Sequence, residues 1–156
     1  MVAVVDVDGV LADVRHRLHH VAGRPKDWPS FFAAAADDGL LAQGEETVRR
    51  LADVYEIVYL SGRPERLREV TRAWFERHRL PAGRLVLRPH ADFRPSSAFK
   101  VAALEELART RTVVVLVDDD PRVLDAARGA GFDVLPATWM GEHHSLREAQ
   151  EEDGRT

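Results

Sequence analysis

The sequence contains no cysteine, and this absence excludes a disulfide framework, a cysteine-ligated zinc site and a thiol nucleophile. It also lacks any apolar run long enough to cross a bilayer, so we expect no membrane span. Lysine is scarce, because only Lys26 and Lys100 among the 22 basic residues are lysines. Lysine and arginine are not interchangeable at a tight site, so each lysine is a candidate functional residue.

Three motifs of common enzyme chemistries are also missing. No G-x-x-x-x-G-K-[ST] phosphate loop, no G-x-G-x-x-G dinucleotide turn and no G-x-S-x-G nucleophile elbow occurs. The first residues show no cationic start and no cleavage pattern of a signal peptide, so we expect a cytoplasmic location. The net charge of −4 argues against a general nucleic-acid coat but is compatible with a local basic patch.

Short apolar runs alternate with amphipathic stretches along the chain. The apolar runs predict five strands, at Val2–Val7, Tyr55–Leu60, Arg84–Leu87, Val113–Val117 and Phe132–Leu135. Helical spacing occurs between them, over Glu45–Asp53, Glu65–His78, Ser97–Arg109 and Arg122–Gly129. This alternation predicts an α/β fold with a doubly wound, mostly parallel, five-stranded Rossmann-like sheet and helices on both faces.

The length of 156 residues predicts one domain, which we place over residues 1–141. Residues 13–44 allow a flap with a short helix around Trp28–Ala36 but not a full cap domain. Residues 142–156 are acidic and predict a C-terminal helix or tail, to which the pattern assigns no function. We interpret His143 and His144 as a solvated pair, because no further metal ligands have suitable spacing.

Polar side chains cluster where the predicted strands end, which is where a doubly wound sheet binds its ligand. These side chains, with one from the helix before the fourth strand, are Asp6, Asp8, Ser61, Lys100, Asp118 and Asp119. So many close carboxylates need a cationic partner, and Mg²⁺ is the natural one for oxygen ligands. A site with a metal, a lysine, a hydroxyl and arginines suits a phosphoryl group.

A phosphoacceptor receiver domain combines similar residues on the same kind of sheet. In a receiver the acidic pair ends the first strand and the acceptor aspartate ends the third. Here Asp6-Val7-Asp8 comes first, and the acidic run that begins at Asp118 follows the fourth strand. This order disfavours a receiver.

The four motifs together resemble the haloacid dehalogenase superfamily of phosphohydrolases. They are Asp6-Val7-Asp8-Gly9-Val10, Ser61, Lys100 and Asp118-Asp119, and they occur in the family's order. The second aspartate marks the phosphatases of that superfamily, and Val10 replaces the commoner threonine. The resemblance implies that Asp6 attacks phosphorus to form an aspartyl-phosphate, while Asp8 acts as the general acid and then the base.

The resemblance also implies how phosphate and metal are held. Ser61 and Lys100 would bind the phosphoryl oxygens. Asp6, the backbone carbonyl of Asp8, and Asp118 would bind Mg²⁺, and Asp119 would bind it directly or through water. Which of Asp118 and Asp119 touches the metal stays open.

The chain is similar, more closely, to the phosphatase domain of the polynucleotide kinase/3′-phosphatase family, especially the phage type. The matching positions are Asp6–Ala12, Arg17, Asp27-Trp28, Ser61-Gly62-Arg63, Arg88, Asp92, Arg94 and Lys100. Ser96 stands where the phage pattern has an aspartate. The similarity implies a nucleic-acid 3′-phosphate as substrate, with five residues binding it: Arg17, Gly62, Arg63, Arg88 and Arg94.

Alternatives from other classes stay open. A small-molecule phosphatase such as a nucleotidase would use the same chemistry, and a non-catalytic phosphate-binding module would use the same fold. Residues 13–28 and 84–100 each carry net positive charge and are expected to border the site, although 13–28 also suits a solvated flap. Because the chain has no P-loop, the kinase half of that family is missing, and we expect a stand-alone phosphatase for which a separate kinase or ligase is a candidate partner.

Overall fold

The computed structural model of the protein describes residues 1–141 and 144–156. Its strands are β1 (Val2–Val5), β2 (Ala12–Asp13), β3 (Gly39–Leu40), β4 (Glu56–Pro64), β5 (Gly83–Arg88), β6 (Val113–Asp118) and β7 (Val134–Pro136). Its helices are α1 (His19–Ala22), α2 (Trp28–Ala33), α3 (Ala42–Ala52), α4 (Arg68–Arg77), α5 (Ser96–Ala108), α6 (Pro121–Gly129) and α7 (His144–Asp153). Among the helices in these two ranges, none has the length and apolar character that spanning a membrane requires.

The main sheet has five parallel strands in the order β5-β4-β1-β6-β7. The chain builds outward from β1 through β4 to β5, then returns to the other side of β1 with β6 and β7. Val5 at the end of β1 pairs with Tyr59 of β4 and with Val117 of β6. The predicted doubly wound sheet is confirmed, and its switch point lies at the carboxyl end of β1.

Helices cover both faces of this sheet because successive strand residues point to opposite sides. Val5 belongs to the cluster that includes Val48 of α3 and Trp74 of α4. Val4 belongs to the other cluster, with Leu104 of α5 and Leu116 of β6. Burying each such side chain stabilises the fold by about 1.5–3 kcal/mol, so continuous apolar strands are what a doubly covered sheet requires.

Several element boundaries differ from the sequence-based prediction, and two of them are those of strands β4 and β7. Strand β4 runs on through Ser61-Gly62-Arg63 to Pro64, which pairs with Arg88 of β5 after a shift in register. We predicted that this strand ends at Leu60. Strand β7 begins at Val134 and not at Phe132, because the amide of Phe132 donates to the carbonyl of Ala127 and closes the end of α6.

The segment between β1 and α3 forms a flap with a sheet of its own. Strands β2 and β3 pair antiparallel, with Ala12 opposite Leu40, and this two-stranded sheet was not predicted from the sequence. Between them lie α1, α2 and two short 3₁₀ turns. The carboxylate of Asp27 accepts from the amide of Ser30 at 3.0 Å and caps α2.

Helix α7 packs back onto the rest of the molecule. Leu146 and Ala149 are buried in the same cluster as the flap. The carboxylate of Asp153 accepts from the indole of Trp28 at 3.0 Å, and that of Glu151 accepts from the hydroxyl of Ser97 at 2.5 Å. The acidic C-terminal segment is therefore joined to the flap and to α5. The interpretation of His143 and His144 as a pair involves His143, which lies outside the described residues.

Candidate active site

Three carboxylates meet at the switch point of the sheet. Asp6 follows β1, Asp118 ends β6, and Asp119 comes next along the chain. One oxygen atom from each lies within 4.8 Å of the other two. The ammonium group of Lys100, from α5, lies 2.8 Å from Asp6 Oδ2 and 2.7 Å from Asp118 Oδ2. The structure thus brings together four of the residues that the sequence placed at the site.

One lysine does not neutralise these three carboxylates, two of them buried, and the pKa values reflect this. Burial raises the pKa of Asp6 well above its ordinary value, with Lys100 opposing the rise and Asp118 adding to it. Burial also raises the pKa of Asp119 to about 7, and the neighbouring Asp118 contributes. For Lys100, burial favours a lower pKa, but the charges of Asp118 and Asp6 outweigh it and raise the pKa.

A divalent cation fits this group of residues. Mg²⁺ prefers carboxylate oxygens, and the three that converge here carry more negative charge than Lys100 offsets. The raised pKa values of Asp6 and Asp119 show that their ionised forms lack compensation in the protein alone. Asp8 contributes no side-chain atom to the cluster, so its expected role as a metal ligand rests on its backbone carbonyl.

The loop after β1 depends on two glycines. Gly9 has a positive φ of 81°, and a β-carbon there would lie 2.5 Å from Asp119 Oδ2. Gly44 of α3 approaches the loop so closely that a β-carbon would lie 1.9 Å from the carbonyl oxygen of Val10. The same oxygen accepts from the indole of Trp139 at 2.8 Å. These contacts fix the loop that carries Asp6.

Two buried arginines hold Asp8. Its Oδ1 accepts from Arg17 Nη2 at 3.0 Å and from Arg63 Nε and Nη2 at 3.0 and 2.6 Å. Burial alone would raise the pKa of Asp8, but Arg63 and Arg17 outweigh it and lower the pKa to about 2. Oδ2 is buried and has no hydrogen-bond partner among the described residues. Asp8 therefore has one fixed oxygen and one that is available to a proton or a substrate.

Asp38 completes this arrangement, and sequence reasoning missed it. Its carboxylate accepts from Arg17 Nε and Nη2 and from Arg63 Nη2, each at 2.8 Å, and all three side chains are fully buried. Two arginines thus face two carboxylates, Asp8 and Asp38. Asp38 lies in an Asp-Asp-Gly sequence at the end of the flap, which is typical of an ordinary turn, so no local signal could have identified it.

The Ser61-Gly62-Arg63 motif lies beside the C-terminal residues. Ser61 is buried, and its hydroxyl accepts from the amide of Arg63 at 3.2 Å. A β-carbon on Gly62 would lie 2.1 Å from the backbone of Thr156. The guanidinium of Arg88 donates from Nε to the carbonyl of Gly62 at 3.3 Å. Arg88 therefore lies next to the motif.

Arg94 is not brought into the buried group. Its side chain is half exposed and pairs with Asp92 at 2.6 Å. In the flap, Arg15 pairs with Asp13 and Lys26 pairs with Asp153. Several cations of the two basic segments are thus offset by nearby acids, which weakens the long-range steering predicted from the sequence.

Helix α7 adds one residue that the sequence did not point to. Arg147 Nη2 lies 3.5 Å from Asp119 Oδ2, and Arg147 Nε is buried without a hydrogen-bond partner among the described residues. Helix α7, which carries Arg147, has apolar residues at only a few positions, so its sequence shows no pattern that predicts how it packs. Sequence patterns therefore gave no reason to connect this arginine with the carboxylates.

Comparison with known proteins agrees with this geometry. The family model described as "Polynucleotide kinase PNKP phosphatase domain" matches residues 1–138. The chain belongs to this family. It is a phosphatase of the haloacid dehalogenase type, as its fold and motifs predict. No curated protein matches the sequence.

Solved structures show the same fold. A chain in the structure of the Pnkp1/Rnl/Hen1 RNA repair complex aligns with a TM-score of 0.69 at 24% identity, over 86% of this chain and 41% of that one. A haloacid dehalogenase-like hydrolase from Streptococcus pneumoniae aligns with a TM-score of 0.62 at 14% identity, over 97% and 91% of the two chains. This phosphatase thus spans less than half of the repair-complex chain.

Proposed function

We propose that this phosphatase is a Mg²⁺-dependent phosphomonoesterase that acts through an aspartyl-phosphate and removes the 3′-phosphate from a nucleic-acid end. The observation that carries the proposal is that Asp6 and Asp8 have different surroundings at the switch point. Asp6 lies with Asp118, Asp119 and Lys100, while Asp8 is held separately by arginines. A nucleophile and an acid in different surroundings suit a two-step displacement.

In the first step, an oxygen of Asp6 attacks phosphorus and the bond from phosphorus to the leaving oxygen breaks. Asp8 donates a proton to that leaving oxygen. In the second step, Asp8 takes a proton from a water molecule that attacks the same phosphorus, the bond to Asp6 breaks, and inorganic phosphate leaves. Asp6, Asp118 and Asp119 would hold Mg²⁺, which shields the phosphate oxygens from the anionic nucleophile when it is bound.

Asp8 must carry a proton in the first step, although Arg17 and Arg63 lower its pKa to about 2 in the free protein. A bound phosphate dianion would offset those two positive charges and raise the pKa of Asp8 again. The partnerless oxygen Oδ2 is the atom that would carry the proton. We therefore expect Asp8 to be protonated in the substrate complex and ionised in the free enzyme.

The 3′-phosphate end is proposed from the family match, together with Arg17, Arg63 and Arg88 around the motif at Ser61. A separate partner that phosphorylates or joins ends would complete a repair reaction, as the similarity to a chain of an RNA repair complex suggests.

The test measures phosphate release in Mg²⁺ from matched oligonucleotides that carry a 3′- or a 5′-phosphate, with 3′- and 5′-mononucleotides alongside. Asp6→Asn and chelator serve as blanks. Preference for the 3′-phosphorylated oligonucleotide supports the proposal. Preference for mononucleotides would contradict the nucleic-acid substrate and favour a nucleotidase. No release above the blanks from any substrate would contradict the mechanism.

A further inference from the structure

A cleft of about 350 Å³ opens beside the Ser61-Gly62-Arg63 motif. We call it the Phe93 cleft. Its walls come from the end of β4, the loop after β5 and the C-terminal segment, and the residues used below are Pro64, Arg66, Arg88, Phe93 and Arg155. Pro64 follows the motif directly, so the cleft begins next to the residues that the family uses to hold phosphate.

Phe93 presents an aromatic ring to solvent in this cleft. Its side chain is 58% exposed, which is unusual for a phenylalanine. The guanidinium of Arg155 lies 5.2 Å from the centroid of the ring. A second, more open cavity lined by Trp28 lies on another side of Phe93 and Arg155. Phe93 therefore lines both cavities, and its exposed ring is accessible to a flat partner.

The loop that carries Phe93 is held in place by its neighbours. Ala91 has a positive φ of 61°, which places a sharp turn just before Phe93. Gly154 packs so closely that a β-carbon would lie 2.1 Å from the carbonyl oxygen of Phe93. Asp92 accepts from the amide of Arg94 at 3.1 Å. A preorganised ring loses little conformational entropy when a ligand stacks on it.

Arg88 lines the cleft and has a buried donor without a partner. Its side chain is 2% exposed, and Nη2 is buried without a hydrogen-bond partner among the described residues. Nε and Nη1 are used, since they donate to the carbonyls of Gly62 at 3.3 Å and Arg94 at 2.8 Å. A buried donor without a partner is costly, so a ligand that brings an acceptor would be favoured.

The two acidic residues in the cleft, Glu65 and Asp92, are each paired with a nearby arginine, so the remaining arginines favour a phosphorylated ligand. Arg66 and Arg155 are both exposed, and neither makes an ion pair within residues 1–141 and 144–156. Arg66 lies over the ring of Phe32 at 5.0 Å, as Arg155 lies over Phe93. Arginines that alternate with aromatic rings are the pattern by which proteins bind single-stranded nucleic acid.

We propose that the Phe93 cleft binds the terminal nucleoside of the substrate, with the base stacked on Phe93. Arg88 donates to an acceptor of that nucleotide, and Arg66 and Arg155 contact the phosphate that links it to the next one. The inference rests on the proposed function, because it names the part of a phosphorylated end that the protein recognises beyond the phosphate. It predicts that the enzyme distinguishes an end with a base from one without.

The test compares kcat/KM for two 3′-phosphorylated oligonucleotides, one with a normal terminal nucleotide and one whose terminal residue lacks the base. The ratio of the two values is expected to be about tenfold, the effect of one base stacked on an aromatic ring. Phe93→Leu, which keeps an apolar side chain but removes the ring, should reduce the ratio to about one. Phe93→Trp should preserve it, as should the control Val54→Ala, an exposed residue before β4.

A binding experiment checks the same contact without turnover. A fluorescent 2-aminopurine at the terminal position should be quenched on binding to Asp6→Asn, and much less on binding to the double variant with Phe93→Leu. If the protein cleaves both oligonucleotides and Phe93→Leu changes neither the ratio nor the quenching, the cleft inference is overturned while the proposed function stands. If the protein cleaves neither oligonucleotide, both the nucleic-acid substrate and the cleft inference are overturned.

Discussion

Replacing Asp38 with asparagine tests the idea that a buried flap residue keeps the acid Asp8 functional. Asp38→Asn leaves Arg17 and Arg63 with one ionised partner where there were two. Removing one partner of a buried ion pair costs about 3–5 kcal/mol. Because asparagine retains one carbonyl acceptor, we expect the free energy of unfolding to fall by about 3 kcal/mol. The arginines would also lower the pKa of Asp8 further.

The stability effect is measured by urea denaturation and the catalytic effect by kcat at neutral pH. General acid catalysis contributes roughly 10²–10⁴-fold, and we expect Asp38→Asn to lose at least about tenfold of it. Asp37→Asn is the matched control, because Asp37 is adjacent and exposed. If Asp38→Asn unfolds within about 0.5 kcal/mol of the original protein, as surface substitutions do, and keeps its kcat, the reasoning is refuted.

Three further changes probe the carboxylate cluster and its loop. Lys100→Met should reduce phosphate release to the level of the blank. The control Lys26→Met, which removes a lysine that is paired with Asp153, should retain phosphate release. Equal activities of the two variants would contradict a role of Lys100 in holding the phosphate. Gly44→Ala should destabilise the protein by about 2 kcal/mol, because the added β-carbon clashes with the loop after β1. Gly129→Ala, in a helix and with no atom near the added β-carbon, should stabilise the protein by about 0.5 kcal/mol. Calorimetry measures both changes in the free energy of unfolding. Because burial raises the pKa of Asp119 to about 7, the folded metal-free protein keeps a proton that the unfolded chain loses near pH 4. The free energy of unfolding should therefore fall as the pH rises from about 4 to 7. Thermal melts in chelator should show a smaller pH dependence for Asp119→Asn. An unchanged pH dependence in this variant would refute Asp119 as its cause.

The strands and the helices that pack on them were predictable because burial on both faces imposes a pattern on neighbouring residues. Val113–Val117 is apolar throughout because β6 is covered by helices on each side. The meeting of Asp6 and Asp118 followed from one topological rule, since parallel strands of a doubly wound sheet end at the same edge. Lys100 joins them because it lies in the first turns of α5, the helix that follows β5.

The flap and α7 were less predictable because their contacts link distant positions without a repeating pattern. Asp38 meets Arg63 across 25 residues of sequence, and Arg147 meets Asp119 across 28. Neither partner could be identified from its neighbours in the chain. The extension of β4 to Pro64 was missed for a related reason, since proline and glycine favour turns unless a neighbouring strand pairs with them.

The most direct test of the central claim is to trap the covalent intermediate on Asp6. The enzyme is mixed with Mg²⁺ and a 3′-phosphorylated oligonucleotide, quenched in acid during turnover and digested with trypsin. Mass spectrometry should show one added phosphoryl group on the peptide of residues 1–15, labile to alkali, in the original protein. Asp6→Asn should show none and should not turn over. Turnover by Asp6→Asn at an undiminished rate would contradict the account.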